Sequence, residues 1–358
     1  MTIDFLIIGG GIAGISAAAR LAPNGSVTVL EAEAALAHHA SGRSAALYEP
    51  NYGLPPVVEL SLASESYFKA AENVLSPRGI MIVARTDERS AFDHDTDSMN
   101  LTRITPDDAK AIVPIINTGT VAFAAHANHA WDIDTDLLLQ GFARTARNHG
   151  ANIVTDARVT AISRTPSGWQ VTTPSGDYSA KTLINASGAW VDDIAKMAGI
   201  APLGFTPLRR SMARIPAPGG QDVSAWPMMF GAGETWYAKP DAGALIVSPA
   251  EEHLMQPHDA WAEDMVLAEG LARYEDMVTE PVTRLLSNWA GLRTFSPDRV
   301  LVIGADPVDP TFFWLAGQGG YGFQSCPAAS QLAADLITGT TPDASKTLIA
   351  ALSPRRFL

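Results

Sequence analysis

The chain of 358 residues is 47% hydrophobic and 18% charged, enough for a large ordered core and for two domains. Its net charge of -13 without any Lys/Arg run argues against nucleic acid as a partner, because phosphate contacts need clustered cations. The single cysteine, Cys326, excludes an intramolecular disulfide and a cysteine-based metal site, and no run of apolar residues is long enough to span a bilayer.

The chain shows no secretory leader pattern at its start, so the expected location is cytoplasmic. In chain order, Ile7-Ile8-Gly9-Gly10-Gly11-Ile12-Ala13-Gly14 ends an apolar strand and opens an Ala-rich helix. Val27-Thr28-Val29-Leu30 forms the next strand and Glu31 closes it. In such a unit Gly9 permits a tight turn, Gly11 lets backbone approach a pyrophosphate, and Gly14 lets helix pack on strand. The helix start offers free N–H groups to phosphates, and Glu31 is placed for the ribose hydroxyls of an adenosine. The pattern predicts dinucleotide binding; a Gly-rich turn in an empty doubly wound sheet is the competing reading.

Pro55 to Ala71 reads as a helix and Ile80 to Ala84 as a strand. Thr105-Pro106-Asp107-Asp108 has a hydroxyl at the N-cap, proline at the first helical position and an acid at the third, and opens a short helix. Asp134-Thr135 begins another helix, which runs to Asn148 and stops at Gly150. Strands are predicted over Ala151 to Ile162, Trp169 to Thr173 and Thr182 to Ala186, the first two forming a β-meander. The third runs through Ser187-Gly188-Ala189 into a helix ended by Gly199. From about Pro202 to Leu286, Pro, Trp and Met become frequent, with strands at Thr235 to Lys239 and Ala244 to Val247, as in a separate antiparallel layer covering a ligand. Strands at Val300 to Ile303 and Phe312 to Ala316, then a helix from Pro327, restore α/β character. The expected fold is α/β: a discontinuous Rossmann-like domain over 1–78, 131–200 and 287–358. A second, α+β substrate domain on an antiparallel sheet takes 79–130 and 201–286.

Matches from end to end carry a family resemblance. They include Ser41-Gly42-Arg43-Ser44-Ala45-Ala46, Asp132-Ile133-Asp134-Thr135-Asp136, Asn185-Ala186-Ser187-Gly188-Ala189-Trp190 and Arg209-Arg210-Ser211. Later come Tyr237-Ala238-Lys239-Pro240-Asp241, Trp289-Ala290-Gly291-Leu292-Arg293, Gln318-Gly319-Gly320-Tyr321-Gly322 and Leu352-Ser353-Pro354-Arg355-Arg356. The chain resembles the FAD-dependent D-amino acid oxidase/dehydrogenase superfamily, and within it the bacterial D-arginine dehydrogenases.

The resemblance implies FAD, held non-covalently, in the Gly9–Gly14 site. Ile12, Ala13, Ala32, Ser41, Arg43, Ser44, Ala45, Ala46, Val159, Ala186, Gly188, Trp190, Gly319, Gly320, Tyr321, Gly322 and Gln324 join Gly9, Gly11, Gly14 and Glu31 as the implied cofactor contacts. Arg210 and Arg293 match carboxylate-binding arginines, suited to the task by planar bidentate geometry. Tyr52 and Tyr237 match tyrosines facing the substrate, Gly319 a carbonyl for its amine, and Gln324 a flavin-side contact. Arg209, pointing elsewhere if its segment is a strand, is expected to be structural.

Departures from the D-arginine enzymes bear on specificity. Their acid that grips the guanidinium is Ile80 here, and a neighbouring histidine is Leu47, which makes the pocket more apolar. A guanidinium facing Ile80 would be buried unpaired, so D-arginine is disfavoured. Glu49, in the same loop, is placed to pair with a cationic side chain from another wall. The implied reaction is oxidative deamination of D-amino acids, apolar ones preferred, to 2-oxo acids and ammonia by hydride transfer from Cα to flavin N5. A secondary-amine substrate (sarcosine, an opine or hydroxyproline) and a regulatory flavoprotein are the alternatives. The electron acceptor, oxygen or quinone, is not legible. His38-His39 reads as a solvated loop pair, Cys326 as packing at a helix start, and no metal site is expected.

Overall fold

Short apolar runs bounded by small residues make the first unit. Ile3–Ile8 and Val27–Leu30 pair in parallel, and the helix Ile12–Leu21 between them buries Ile12, Ile15, Ala17, Ala18 and Leu21. Parallel neighbours need such a crossover, and the alternation of strand and helix supplies it. This computed structural model describes residues 2–358; Met1, the first residue of the expected 1–78 segment, lies outside the described residues.

The first sheet has 8 strands and runs Ala161–Thr165, Gly168–Thr173, Gly176–Asn185, Ile3–Ile8, Val27–Leu30, Asn152–Val154. Phe312–Ala316 joins parallel to the end of Gly176–Asn185, and Val302–Ala305 pairs antiparallel beyond it. The second sheet has 9 strands in the order His253–Leu254, Thr206–Pro216, Ala244–Ser248, Tyr237–Asp241, Met228–Gly231, Ile80–Ala84, Phe123–Ala127, Thr102–Ile104, with Ser287–Phe295 along the second of these. A small third sheet joins Leu47–Tyr48, Trp131–Ile133 and Leu75–Pro77. The mixed α/β class and the second, sheet-based layer agree with the sequence.

Several details differ. The second sheet is mixed, because Met228–Gly231 runs parallel to Ile80–Ala84; these strands come from separate inserts, so no hairpin fixes their direction. Ser287–Phe295, placed with the nucleotide half at a boundary of 287, instead pairs with Thr206–Pro216 from Thr206↔Phe295 to Arg214↔Ser287. The strand expected over 151–162 is two. Asn152–Val154 extends the parallel sheet, Asp156 turns left-handed at φ +52°, and pairing resumes at Ala161–Thr165. Val302–Ala305 and Tyr237–Asp241 each start later than read, the second because residues 232–234 form a tight turn.

The Pro55 to Ala71 helix divides into Pro55–Ala63 and Glu65–Ala70 around Ser64. Ser64 is fully buried, and it supports the last discrepancy, a helix that spans Gly322–Thr338 with Pro327 inside it instead of at its start. Proline removes one N–H and disturbs the turn. The next N–H, of Ala328, donates to Ser64 Oγ at 3.1 Å, while that hydroxyl donates to the Leu60 carbonyl at 2.8 Å. Ser64→Ala removes this buried acceptor from the Ala328 N–H. We expect it to lower unfolding free energy by about 1–3 kcal/mol in urea titration, with little effect on the far-UV spectrum.

Candidate active site

Three depressions follow one another along the seam between the two large sheets. Gly11, Ser41 and Gly188 are shared by the first two, and Ser44, Ala45, Arg293 and Gly320 by the second and third.

The first lies at the carboxyl ends of Ile3–Ile8, Val27–Leu30 and Gly176–Asn185, where open α/β sheets bind ligands. Gly9 holds φ +113°, and a Cβ there would overlap the Ala186 carbonyl oxygen. A Cβ on Gly14 would overlap the Gly9 carbonyl oxygen, so helix and turn touch only because both are glycine. Buried Glu31 accepts the Gly10 N–H at 2.7 Å and the Glu33 N–H at 2.9 Å, and Ser41 Oγ accepts the Ile12 N–H at 3.0 Å. Side-chain oxygens thus take turn donors that the spacing assigned to phosphates. Ala32, Val159, Ala186 and Trp190 line the walls. Val159 arrives there because the Ala157 N–H donates to the Glu31 carbonyl at 2.8 Å.

His38 and His39 are not a simple solvated pair. His39 packs on Trp190 with ring centroids 4.6 Å apart and contacts Glu33 at 3.1 Å. Burial holds its pKa below that of an ordinary histidine despite Glu33. Glu33, His38 and His39 bring ligand-type atoms within 4.8 Å of one another, a cluster that spacing did not reveal. Glu33 is also paired with Arg158 at 2.7 Å, so a cation there would compete with a guanidinium.

Ile12, Ala13, Gly319, Gly320 and Gly322 line the second stretch, together with Ser44 and Ala45. Arg43 lines it as well but turns its guanidinium outward, to the Ala260 and Ala290 carbonyls at 2.8 Å each and to Asp259. It ties the Ser41–Ala46 loop to the second sheet. Tyr321 stands off the channel walls and packs 5.3 Å from the Tyr52 ring. Cys326 is buried within the Gly322–Thr338 helix, and burial pushes its thiol well above the usual range.

Strand register places the arginines. Leu208 pairs with Arg293 and Arg210 with Gly291, so Arg210 and Arg293 share one face of the ladder, while Arg209 points to the other. Arg209 meets Glu263 and His253 there, as a structural residue would. Arg210 is 4% exposed; its Nη2 donates to Glu252 at 3.3 Å, and its Nε and Nη1 have no partner. Burial, and then Arg293, hold its pKa below the normal guanidinium value. Arg293 lines both inner depressions and, among the described residues, donates no hydrogen bond within the protein. Burial opposes its charge, but Tyr237, Tyr52 and Glu234 outweigh it and raise its pKa.

Around this pair, Ala46, Leu47, Ile80, Met228, Phe230 and Tyr237 make the innermost walls. The Tyr237 hydroxyl donates to Met212 Sδ at 3.3 Å, and Tyr52 donates to Glu234 Oε2 at 2.8 Å. Burial raises the Tyr52 pKa well above that of a free phenol. Gln324 is a clamp on the loop: its amide accepts the Glu49 N–H at 3.3 Å and donates to the Tyr52 carbonyl at 3.2 Å. Gly319 turns at φ +51° against Phe295, where a Cβ has no room. Glu49, 2% exposed, is already engaged: Oε1 accepts from the Asn51 backbone and side chain, each at 3.0 Å, and Oε2 contacts His129 at 3.0 Å. Burial, only partly offset by Asn51 and His129, raises its pKa. Sequence reasoning missed Glu234, presented at φ +54° after Gly233; the Gly231-Ala232-Gly233 run was its one visible signal. It also missed Glu252 and His129, which nothing local marks.

The sequence model of the family described as FAD dependent oxidoreductase (DAO) matches residues 4–336. The chain is 24% identical to FAD-dependent oxidoreductase domain-containing protein 1 of Xenopus laevis over 421 aligned positions, covering 99% of this chain and 82% of that one. Glycine oxidase from Geobacillus kaustophilus superposes with a TM-score of 0.85 at 21% identity, covering 98% of both chains. L-proline dehydrogenase from P. horikoshii gives 0.84 at 22%, covering 99% and 98%. The channel fits such a cofactor: an acid closes the second strand, a Gly-rich turn meets the helix start, and the space beside Gly188 is open where a side chain would point. Gly11→Val would fill the shared neck of the channel, and we expect roughly tenfold less flavin per purified protein, read from visible absorbance at unchanged fold.

Proposed function

Because the chain belongs to the DAO family of FAD-dependent oxidoreductases, we propose that it oxidises the amine of a small amino acid, with apolar D-amino acids preferred. One observation carries the reading: two guanidiniums on one sheet face line the inner channel, Arg210 buried with Nε and Nη1 unpartnered and Arg293 half-buried. A substrate carboxylate supplies the missing charge and acceptors, and a bidentate clamp fixes the orientation of the neighbouring Cα. FAD, when bound, supplies the hydride acceptor. Gly9, Gly11, Glu31, Ser41 and Gly188 would hold its nucleotide end, and Ser44, Ala45, Gly319 and Gly320 its ring.

The remaining side chains bind and orient. Tyr237 and Tyr52 set hydroxyls beside the carboxylate position, and Glu234 Oε2 already accepts from Tyr52. Glu234 is then the acid placed to accept a hydrogen bond from the amine, opposite the arginine pair. Loss of a hydride from Cα and a proton from nitrogen gives an imino acid, which water hydrolyses to a 2-oxo acid and ammonia. Leu47, Ile80, Met228 and Phe230 support an apolar side chain in the pocket. Ile80 stands on the pocket wall where a guanidinium would need an acid, which speaks against D-arginine, while Glu49 Oε1 is taken by Asn51. The same clamp accepts the carboxylate of an N-substituted amino acid, and the likeness to L-proline dehydrogenase supports that second reading to a comparable degree.

Anaerobic mixing with D-, L- and N-methyl amino acids, followed by flavin bleaching, tests both. We expect D-methionine, D-leucine or D-phenylalanine to bleach the flavin with higher kcat/KM than D-lysine or D-arginine; the reverse order overturns the substrate class, and exclusive bleaching by N-alkyl substrates selects the second reading. Arg210→Met and Arg293→Met should each lower kcat/KM by roughly 10- to 150-fold, the equivalent of one charge-assisted hydrogen bond. An unchanged value for both would remove the clamp from the mechanism.

A further inference from the structure

We propose that Lys239, held by Asp132 and Arg78, is the positioning residue for the Ala45–Ala46 peptides, the wall shared by the flavin channel and the substrate pocket. This role rests on the cofactor of the proposed function and is the same whichever amine is oxidised.

Lys239 sits on the buried strand Tyr237–Asp241 and does not itself line the channel. Its ammonium donates to the Ala45 and Ala46 carbonyl oxygens, each at 3.1 Å, and forms an ion pair with Asp132 Oδ1 at 2.9 Å. Two of its protons thus have carbonyl acceptors, and the carboxylate supplies the counter-charge that a buried ammonium requires. Asp132 is fixed in turn by Arg78, whose Nε donates to Oδ2 at 2.7 Å while Nη1 reaches the Ser224 and Trp226 carbonyls at 2.7 and 2.9 Å.

The consequence lies on the opposite side of the peptides. In a trans peptide the N–H points away from the carbonyl, and the described residues contain no cis bond. Drawing the Ala45 carbonyl back to Lys239 therefore turns the Ala46 N–H the other way. Among the described residues, neither the Ala45 nor the Ala46 N–H has an acceptor within the protein, although both residues lie on the channel walls. Ala45 and Ala46 are half-buried, and a channel-wall peptide donor left unmatched within the protein is where a ligand atom completes the set. Lys239 thus acts from behind the wall: it holds the Ala45 carbonyl so that the Ala46 N–H of the same peptide stays available to the flavin ring.

The test compares Lys239→Met with Arg78→Met, a control that breaks the same charge network one step further from the carbonyls. We expect Lys239→Met to weaken FAD binding about tenfold or more, by fluorescence titration of deflavinated protein, and to shift the visible flavin band. Lys239→Arg, which keeps a donor-rich cation, should recover most of the affinity, and Arg78→Met should lose thermal stability yet stay within about threefold of wild type for FAD. If Lys239→Met does not fold, Asp132→Asn, which retains the packing, must still shift the flavin band. Wild-type FAD affinity and an unshifted band in Lys239→Met, an unshifted band in Asp132→Asn, or equal FAD loss in Arg78→Met and Lys239→Met, each overturns the proposal. None of these readouts uses an amine, so a failed substrate reading leaves the result intact.

Discussion

Arg210 and Arg293 lie diagonally across the ladder formed by Thr206–Pro216 and Ser287–Phe295, the first buried and the second half-buried, close enough for Arg210 to feel the charge of Arg293. Burying two like charges side by side is unfavourable unless something negative joins them. The protein supplies part of the answer from outside the channel: Glu252 bonds to Arg210 and, at 2.7 Å, to Arg299. On the inside it leaves Nε and Nη1 of Arg210 without acceptors. That local deficit sits between the extensive buried cores of the two sheets.

Everything else near the pair controls how a ligand meets it. Side chains of the second sheet hold carbonyls of the Ser41–Ala46 loop: Trp289 Nε1 donates to that of Arg43 at 3.1 Å, and Lys239 to those of Ala45 and Ala46. Arg43 itself is anchored to the Ala260 and Ala290 carbonyls. The loop is thus rigid on one side and open on the other. Gln324 does the same for the following segment by bridging Glu49 and Tyr52, so the pocket walls are built from backbone that packed elements have fixed from behind.

Much of the fold was legible because it follows from local rules. The Gly9–Gly14 turn, the acid at Glu31, the capping box of Thr105 with Asp108 and the Asp134 cap all sit where side-chain size and hydrogen-bonding chemistry require them. Errors occurred where a distant residue overrides a local signal. Pro327 reads as a helix start, but Ser64 supplies an acceptor that lets the helix run through it. Ala151 to Ile162 reads as one strand, but its middle is pulled onto the end of Val27–Leu30 by bonds to Glu31 and Glu33.

For the site, the sequence alone determined the nucleotide turn, the residue types suited to hold a carboxylate, and the opposite facing of Arg209 and Arg210, because these depend on spacing along a single strand or turn. Tertiary structure decided the rest: that Arg293 lies on the same face as Arg210, that Glu49 is committed to Asn51 and His129, that Glu234 enters the pocket, and that Lys239 faces the loop instead of the ligand. All but the Glu49–Asn51 bond are contacts between segments far apart in the chain. Strand register and the burial of charge determine them, and neither is written in the neighbouring residues.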